Sequence, residues 1–452
     1  MINCKVRFAP SPTGYMHIGN ARVAIINYLF CKKNNGKFLF RIDDTDSQRS
    51  KKEYEEAILN DLKWLGIKYD ETFRQSSRLG RYNEMLKKLY ECGLVYRCFE
   101  TPEELEFKRK RAILKGQPPV YDRAALELTQ SQVDELNASG IPSYWRFKLP
   151  YKTISWDDLV LGKVSYALSN ISDPVIAKSD GTFLYSFCSV IDDLDSNITH
   201  ILRGQDHVTN TAAQIAMIEA ISDRSCSINF GHFSLLINKD GSQFSKRLGS
   251  LNLRNLREAG VDPMAIWNLL ATLGTSKDTK IFLNLDELAD YFDLSVFGTN
   301  SPKFDMSQLL LLSKKIIRSL SYDDMKNRLN IKMSEMQFNV IKDNIENYND
   351  LLKWEQILRP GYTPTAEISQ RNVIKCFLNY LDRNTGEKLT PEIATNLLNQ
   401  ISSDTNTTGK ELYLPIQMAI LGLDKGPRLV DTITLFTKDE ISRRLKNVAS
   451  EE

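Results

Sequence analysis

Residues 5–20 read KVRFAPSPTGYMHIGN, and the order of residue types in this stretch decides what kind of domain the chain begins with. Lys5–Ala9 alternates polar and apolar side chains and ends at Pro10, the pattern of a short strand running into a forced turn. Beyond the turn, Val23, Ile26, Tyr28, Leu29 and Phe30 recur at helical spacing from Ala21 until Asn34–Gly36 stops them. Lys37–Ile42 then alternates again, with Phe38, Phe40 and Ile42 on one face. Strand, helix and strand in so short a span make a βαβ unit with parallel strands, whose ligands bind beyond the carboxyl ends of the strands. The turn lies at that rim. A helix N-terminus offers unpaired N–H groups and partial positive charge, Gly14 and Gly19 permit close backbone approach, and His17 adds a donor, so an anion is the expected ligand. A surface βα loop whose histidine caps the helix uses the same residues. Neither a Walker loop nor a G-x-G-x-x-G is present here.

Bulk properties set outer bounds. At 452 residues the chain should hold two to four domains of roughly 100–200 residues each. With 42% hydrophobic and 26% charged residues it has the composition of a soluble globular protein. No run approaches the ~18 apolar residues of a membrane span, and MINCKVRF lacks the apolar core of a secretory signal, so a cytoplasmic protein without a membrane partner is expected. The seven cysteines are an odd, scattered set without a C-x-x-C pair, which suits reduced thiols. A net charge of +2 leaves any nucleic-acid contact to local patches.

A second loop, DGSQFSKRLGS at 240–250, follows the apolar Phe233–Ile237, which is expected to be a strand. Its glycines and serines surround Lys246 and Arg247, and a mobile lysine there would place positive charge on a triphosphate; a solvated turn is the plainer alternative. With these two loops in one chain, the sequence resembles the glutamyl-tRNA synthetases of bacterial type, class I aminoacyl-tRNA synthetases. RFAPSPTGYMHIG (Arg7–Gly19) is similar to their His-Ile-Gly-His region and QFSKR (Gln243–Arg247) to their Lys-Met-Ser-Lys-Ser loop. RIDDTD (Arg41–Asp46), KSDGTFLY (Lys178–Tyr185), VIDDLDSNITHILRGQDHVTNT (Val190–Thr211) and GKELYLPIQMAILGLDKGPRL (Gly409–Leu429) resemble further blocks in the family's order.

The resemblance implies an α/β Rossmann-type nucleotide-binding domain with an α+β insertion, followed by an all-α C-terminal anticodon-binding region. The implied boundaries are 1–75 and 181–250 for the split catalytic domain and 76–180 for an insertion gripping the acceptor end of tRNA. A stem-contact domain at 251–310 and two helical anticodon-binding domains at 311–370 and 371–452 complete the chain. The implied reaction joins the α-carboxylate of L-glutamate to the α-phosphorus of ATP, then moves the acyl group from the adenylate to tRNA(Glu). His17 and Lys246 would be catalytic. Pro10, Ser11, Thr13, Gly14, His17, Gly19, Asn20, His207, Ser245, Lys246 and Arg247 would bind ATP, with Mg²⁺ carried on the nucleotide. Arg7, Ser11, Asp43, Tyr185 and Arg203 would bind glutamate, the arginines on carboxylate and Asp43, where the family usually has glutamate, on the ammonium. His207 fits a buried structural histidine equally, and His200 and His232 are expected to be structural.

Lys108, Arg109, Lys110 and Arg111, on the basic helical stretch Thr101–Gly116, are candidate tRNA phosphate contacts, beside the alternative of a solvated helix face. Asn347 stands where discriminating relatives are expected to carry an arginine, which leaves charging of tRNA(Gln) open beside tRNA(Glu). Tyr348 and Trp354 are candidate stacking platforms for anticodon bases, beside core packing as the more common fate of such residues. Gln243 replaces a lysine of the family pattern and keeps a catalytically weak, regulatory paralogue as the alternative. Asn20 replaces the second histidine of the first motif. Cys98 has Glu100, Ala124 and Leu126 where zinc-binding relatives have partners, so no zinc is expected. A monomer is the family expectation.

Overall fold

The structure, a computed structural model, describes residues 4–242, 252–365, 367–383 and 389–449. The chain divides into two compact units, Met1–Arg257 with Ile266–Leu309, and Glu258–Ala265 with Leu310–Glu452.

In the first unit, strand β1 (Lys5–Phe8), helix α1 (Ile18–Lys33) and strand β2 (Lys37–Ile42) form the expected βαβ unit, with Val6 opposite Phe38 in parallel register. Helix α2 (Lys52–Leu65) leads to β3 (Glu71–Arg74), parallel to β2. The alternation read in β1 and β2 does not mark a wet face. Val6, Arg7 and Phe8 are all buried, and so is every residue from Phe38 to Ile42. Parallel strands covered on both faces behave this way, and here the polar face is filled by ion pairs instead of water. Helix α1 starts three residues earlier than the apolar spacing indicates, because His17 caps it.

After α3 (Leu79–Glu91), β4 (Val95–Cys98) pairs antiparallel with β5 (Tyr144–Phe147). Between them lie α4 (Pro102–Leu114), which buries no side chain, and α5 (Gln130–Ala138). The strands β6 (Thr153–Asp158) and β7 (Gly162–Ala167) form an antiparallel hairpin, and β8 (Val175–Ala177) joins the far edge of β5. The chain then returns through α6 (Tyr185–Asp195), β9 (His200–Gly204), α7 (Val208–Ser222) and β10 (Asn229–Phe233), with β9 and β10 parallel. The Thr199 N–H donates to the Lys5 carbonyl at 3.0 Å, which lays the start of β9 beside β1. Leu39, Tyr82, Phe147, Phe187, Ile201 and Phe230 share one apolar core, so the sheet and the antiparallel layer are a single packed body.

The strand expected over Phe233–Ile237 is interrupted. β10 ends at Phe233, the Ser234 carbonyl is taken by Arg22, and the Ile237 N–H goes to Pro302. A short β11 (Ile237–Asn238) then pairs with β12 (Lys303–Phe304).

The second unit is helical among its described residues. Its helices include Tyr322–Leu329, Tyr348–Ile357, Arg371–Arg383, Pro391–Thr405, Lys410–Leu421 and Lys438–Ala449. Ser321, Ser334 and Asn347 each open a helix with a capping box. Trp354 is only 5% exposed and belongs to this unit's core, so it is not an open stacking platform. The Tyr348 hydroxyl donates to Asp262, which also pairs with Arg328.

Candidate active site

The loop from Pro10 to His17 is tied down by its own backbone. The Pro10 carbonyl accepts from Asp43 N–H at 3.1 Å, the Pro12 carbonyl from Lys51 N–H at 3.0 Å, and the Ser11 carbonyl from Thr13 N–H at 2.8 Å. The loop therefore hangs from the carboxyl end of β2 and the start of α2. At its end the His17 Nδ1 accepts from the N–H groups of Gly19 and Asn20 at 3.1 and 3.3 Å, and the Asn20 Oδ1 returns a bond to the His17 N–H. Because Nδ1 accepts, a neutral ring carries its proton on Nε2.

This loop forms one wall of a cleft of about 750 Å³ lined by Pro10, Ser11, Thr13, Gly14, His17, Asn20, Asp43, Tyr185 and His207. A second hollow of about 320 Å³ is lined by Arg7, Gly19 and Arg203 and shares Pro10, His17, Asn20, Tyr185 and His207 with the first. Every described residue expected to touch ATP or glutamate thus faces one of two hollows that share walls. Ser245, Lys246 and Arg247, with Gln243, lie outside the described residues.

Asp43 and Arg7, which line the two hollows, belong to a buried charged network. Arg41, fully buried, donates from Nε to Asp43 at 2.7 Å and from Nη1 to Asp193 at 2.7 Å. Arg7 donates from Nε to both Asp193 oxygens at 3.3 Å. Asp192 beside them accepts from Gln75 at 2.8 Å and Arg78 at 2.7 Å. Burial pushes the Asp43 carboxyl up to about 6, against the pull of Arg41 and with the repulsion of Asp192 and Asp193.

Arg203 is bound differently. Its Nε donates to His232 Nε2 at 3.3 Å, its Nη1 to the Tyr185 hydroxyl at 3.2 Å, and its Nη2 to Thr211 at 2.5 Å and Gln214 at 2.7 Å. Among the described residues no carboxylate lies within ion-pair distance of it, and burial lowers its affinity for its proton. A buried guanidinium held by neutral groups is a standing demand for an anion. His207, half-exposed beside it, is also pushed down, by burial and then by the Arg203 charge.

Other expected residues sit elsewhere. Lys108 on α4 pairs with Glu100 at 3.3 Å and Asp122 at 3.1 Å, and Arg109 and Lys110 pair loosely with Glu106. Arg111 is exposed. Asn347 accepts from the Asp350 N–H at 3.0 Å as a helix cap. The Cys98 thiol lies 3.6 Å from the Tyr121 hydroxyl, which donates to Glu100 at 2.7 Å. Among the described residues no group of three or more His, Cys, Asp or Glu is placed to hold a metal ion.

Sequence reasoning missed Arg41, Asp193 and Arg22. Arg22 is 1% exposed, lines the smaller hollow, and donates to the carbonyls of Ser234 and Leu273. Its signal was an arginine at position i+4 from Ile18 and i−4 from Ile26, on an otherwise apolar helix face.

Residues 3–310 match the catalytic domain of class I tRNA synthetases (E and Q), and residues 323–449 match an anticodon binding domain. A glutamate--tRNA ligase of Gluconobacter oxydans is 41% identical over 98% of this chain and 99% of its own length. One of Ehrlichia chaffeensis is 42% identical over 97% of this chain and 98% of its own. The crystal structure of a glutamate tRNA ligase from Elizabethkingia meningosepticum in complex with its amino acid is 25% identical, with a TM-score of 0.80 over 99% of each chain.

Proposed function

The chain belongs to the class I tRNA synthetases of the glutamate and glutamine group and is a glutamate--tRNA ligase, and from that premise we propose how its own residues perform the ligation. The reaction runs through glutamyl-adenylate. The α-carboxylate of glutamate attacks the α-phosphorus of ATP, pyrophosphate leaves, and the terminal ribose hydroxyl of tRNA(Glu) then takes the acyl group. Neither step needs a covalent enzyme nucleophile; both need charge neutralised and atoms aligned.

The observation that carries this assignment is Arg203: buried, without an acid partner among the described residues, and lining a hollow also lined by Arg7. A guanidinium has five N–H donors, and here four point at His232, Tyr185, Thr211 and Gln214. The remaining Nη1–H, beside the Tyr185 hydroxyl, is the donor for a substrate carboxylate. Arg7 supplies the second cation and Asp43 takes the ammonium. The His17 Nε2–H, with Ser11, Thr13 and the backbone around Gly14 and Gly19, holds phosphate oxygens, with His207 on the nucleotide's other flank. Lys246, with Ser245 and Arg247, neutralises the departing pyrophosphate. Asp43 is tied to Arg41 and Asp46 to Arg49, so the acidic groups of the cleft are already engaged and Mg²⁺ is best held by ATP itself.

Parallel β1–β2–β3 with β9–β10 supports a split Rossmann-type catalytic domain at 1–75 and 181–250, and the antiparallel layer supports an acceptor-end insertion at 76–180. The remaining domains, at 251–310, 311–370 and 371–452, contact the tRNA stem and anticodon. Lys108–Arg111 and Asn347 belong to the tRNA-facing set of a monomeric, cytoplasmic enzyme. Asn347, where discriminating relatives are expected to carry an arginine, is what supports charging of tRNA(Gln) beside or ahead of tRNA(Glu). Exchange of labelled pyrophosphate into ATP, with glutamate and with or without tRNA(Glu), tests the adenylate step. Glutamate-dependent exchange is the expected result; none in either condition refutes it.

A further inference from the structure

Arg203 is aimed by a histidine that is itself aimed from outside the parallel sheet. His232 lies on β10, fully buried, with its Nδ1 2.5 Å from Asp158 Oδ2 and its backbone N–H donating to Asp158 Oδ1 at 3.0 Å. Asp158 closes β6, the first strand of the β6–β7 hairpin. Its carboxylate also accepts from the N–H groups of Val160 and Leu161, both at 3.1 Å, so the acid is held by the turn of its own hairpin. The Leu159 N–H donates to the Phe230 carbonyl at 2.8 Å, which seats that turn on β10.

The hydrogen positions follow from chemistry. An ionised carboxylate only accepts, so the proton of His232 facing Asp158 is on Nδ1. The other nitrogen, Nε2, must then accept, and what faces it is the Nε–H of Arg203 at 3.3 Å and the Thr211 hydroxyl at 2.8 Å. Burial raises the Asp158 acid, but hydrogen bonds from His232 and Leu161 outweigh it and hold it down at about 2; burial lowers the His232 pKa against the pull of Asp158. The opposite tautomer would set an N–H against the Arg203 N–H, leaving a buried donor unpaired.

We propose that Asp158 and His232 are positioning residues for glutamate recognition, with the carboxylate fixing the imidazole tautomer and the imidazole fixing the plane of the Arg203 guanidinium. The inference rests on Arg203 being the carboxylate-binding group. It makes the β6–β7 hairpin part of the amino-acid site although no hairpin residue lines the hollow where Arg203 lies. Neither residue touches substrate. Their effect is confined to the donor that Arg203 turns toward the ligand.

The test uses the full-length chain. His232→Phe keeps an aromatic ring beside Phe230 and removes the acceptor; it should raise KM for glutamate about ten-fold and leave KM for ATP within about two-fold. His232→Gln, which restores an acceptor, should recover most of the loss. Asp158→Leu should behave like His232→Phe, and Asp158→Asn, still able to accept from Nδ1–H, should be milder. Nitrogen NMR of histidine-labelled wild-type protein should show His232 protonated on Nδ1 at neutral pH, which holds the test open if a variant does not fold. An Nε2–H tautomer, or a folded His232→Phe protein with unchanged KM for glutamate, overturns the proposal. Arg203→Ala separates the two levels. If it too leaves KM for glutamate unchanged, the assignment of Arg203 fails; if it raises KM while His232→Phe does not, only the positioning role fails.

Discussion

His17 and Gly19 close the first turn of α1 on each other: the imidazole Nδ1 accepts the glycine N–H at 3.1 Å, and a Cβ on Gly19 would stand 2.9 Å from the ring's Cε1. Capping therefore uses Nδ1 and leaves the proton of a neutral ring on Nε2, the nitrogen proposed to meet phosphate. Gly19 is a glycine because the ring occupies the space a side chain would take, not because its backbone angles require one. Gly19→Ala should displace the imidazole and weaken the cap, costing about 1 kcal/mol of stability. It should raise KM for ATP by more than that loss accounts for. Thermal denaturation and ATP titration check this together; a normal KM for ATP would mean that the ring's position does not matter to the nucleotide.

With Asp43 as the proposed partner of the ammonium, the amino-acid site should show an acid limb. The Asp43 carboxyl, raised to about 6 by burial, is charged above that pH and neutral below it. Only the charged form attracts an ammonium. The kcat/KM for glutamate should therefore fall as pH drops through about 6, since this quantity reports free-enzyme ionisations. Asp43→Asn should lower kcat/KM above pH 6 and flatten that limb. Persistence of the same limb in the variant would assign it to another group.

The contrast between Asp43 and Arg41 shows how far the sequence could be read. The turn and the flanking strands announce themselves locally, through a proline, glycines and a histidine before a periodic apolar run, whereas Arg7, Asp43, Tyr185 and Arg203 are singled out only by the family resemblance. Arg41 and Asp193 are marked by neither, because their roles depend on a contact across 152 positions. Alternation in β2 is compatible with a solvated face, and only the return of α6 over it turns that face into a buried ion network. The break after Phe233 was illegible for the same reason: the carbonyl that ends the strand is claimed by Arg22, 212 positions away. His232 reads as structural by itself; its consequence lies in what stands on each side of the ring.

In the helical unit, Arg444 is the counterpart of that buried network. Its guanidinium is completely buried and donates to the carbonyls of Ile420, Ile357 and Arg359 at 2.8, 2.9 and 3.1 Å, and to Glu440 at 2.7 Å. It satisfies carbonyls at the ends of the helices Tyr348–Ile357 and Lys410–Leu421. Arg444→Leu should cost about 3–5 kcal/mol, read as a lowered midpoint in denaturant.

Glu440 makes the same contact pH-sensitive. Burial would raise its carboxyl, but hydrogen bonds from Arg443 and Arg444 win and hold it at about 2. A depressed folded-state pKa gives stability that is present above the usual glutamate pKa and lost as pH falls toward the folded value. The helical unit should thus lose stability between about pH 4.5 and 2, by roughly 3 kcal/mol at most. Acid titration of Glu440→Gln, followed by far-UV circular dichroism, should show that component missing. An unchanged acid transition would place the sensitivity elsewhere.

The most direct measurement is aminoacylation of tRNA(Glu) with labelled glutamate by the purified chain and its Arg203→Ala variant. The wild type should form acid-precipitable glutamyl-tRNA that depends on ATP, and the variant should need far more glutamate while its KM for ATP holds. Equal glutamate dependence in the two proteins would contradict the assignment of the cleft between the His17 turn and Arg203 as the place where the amino acid is chosen.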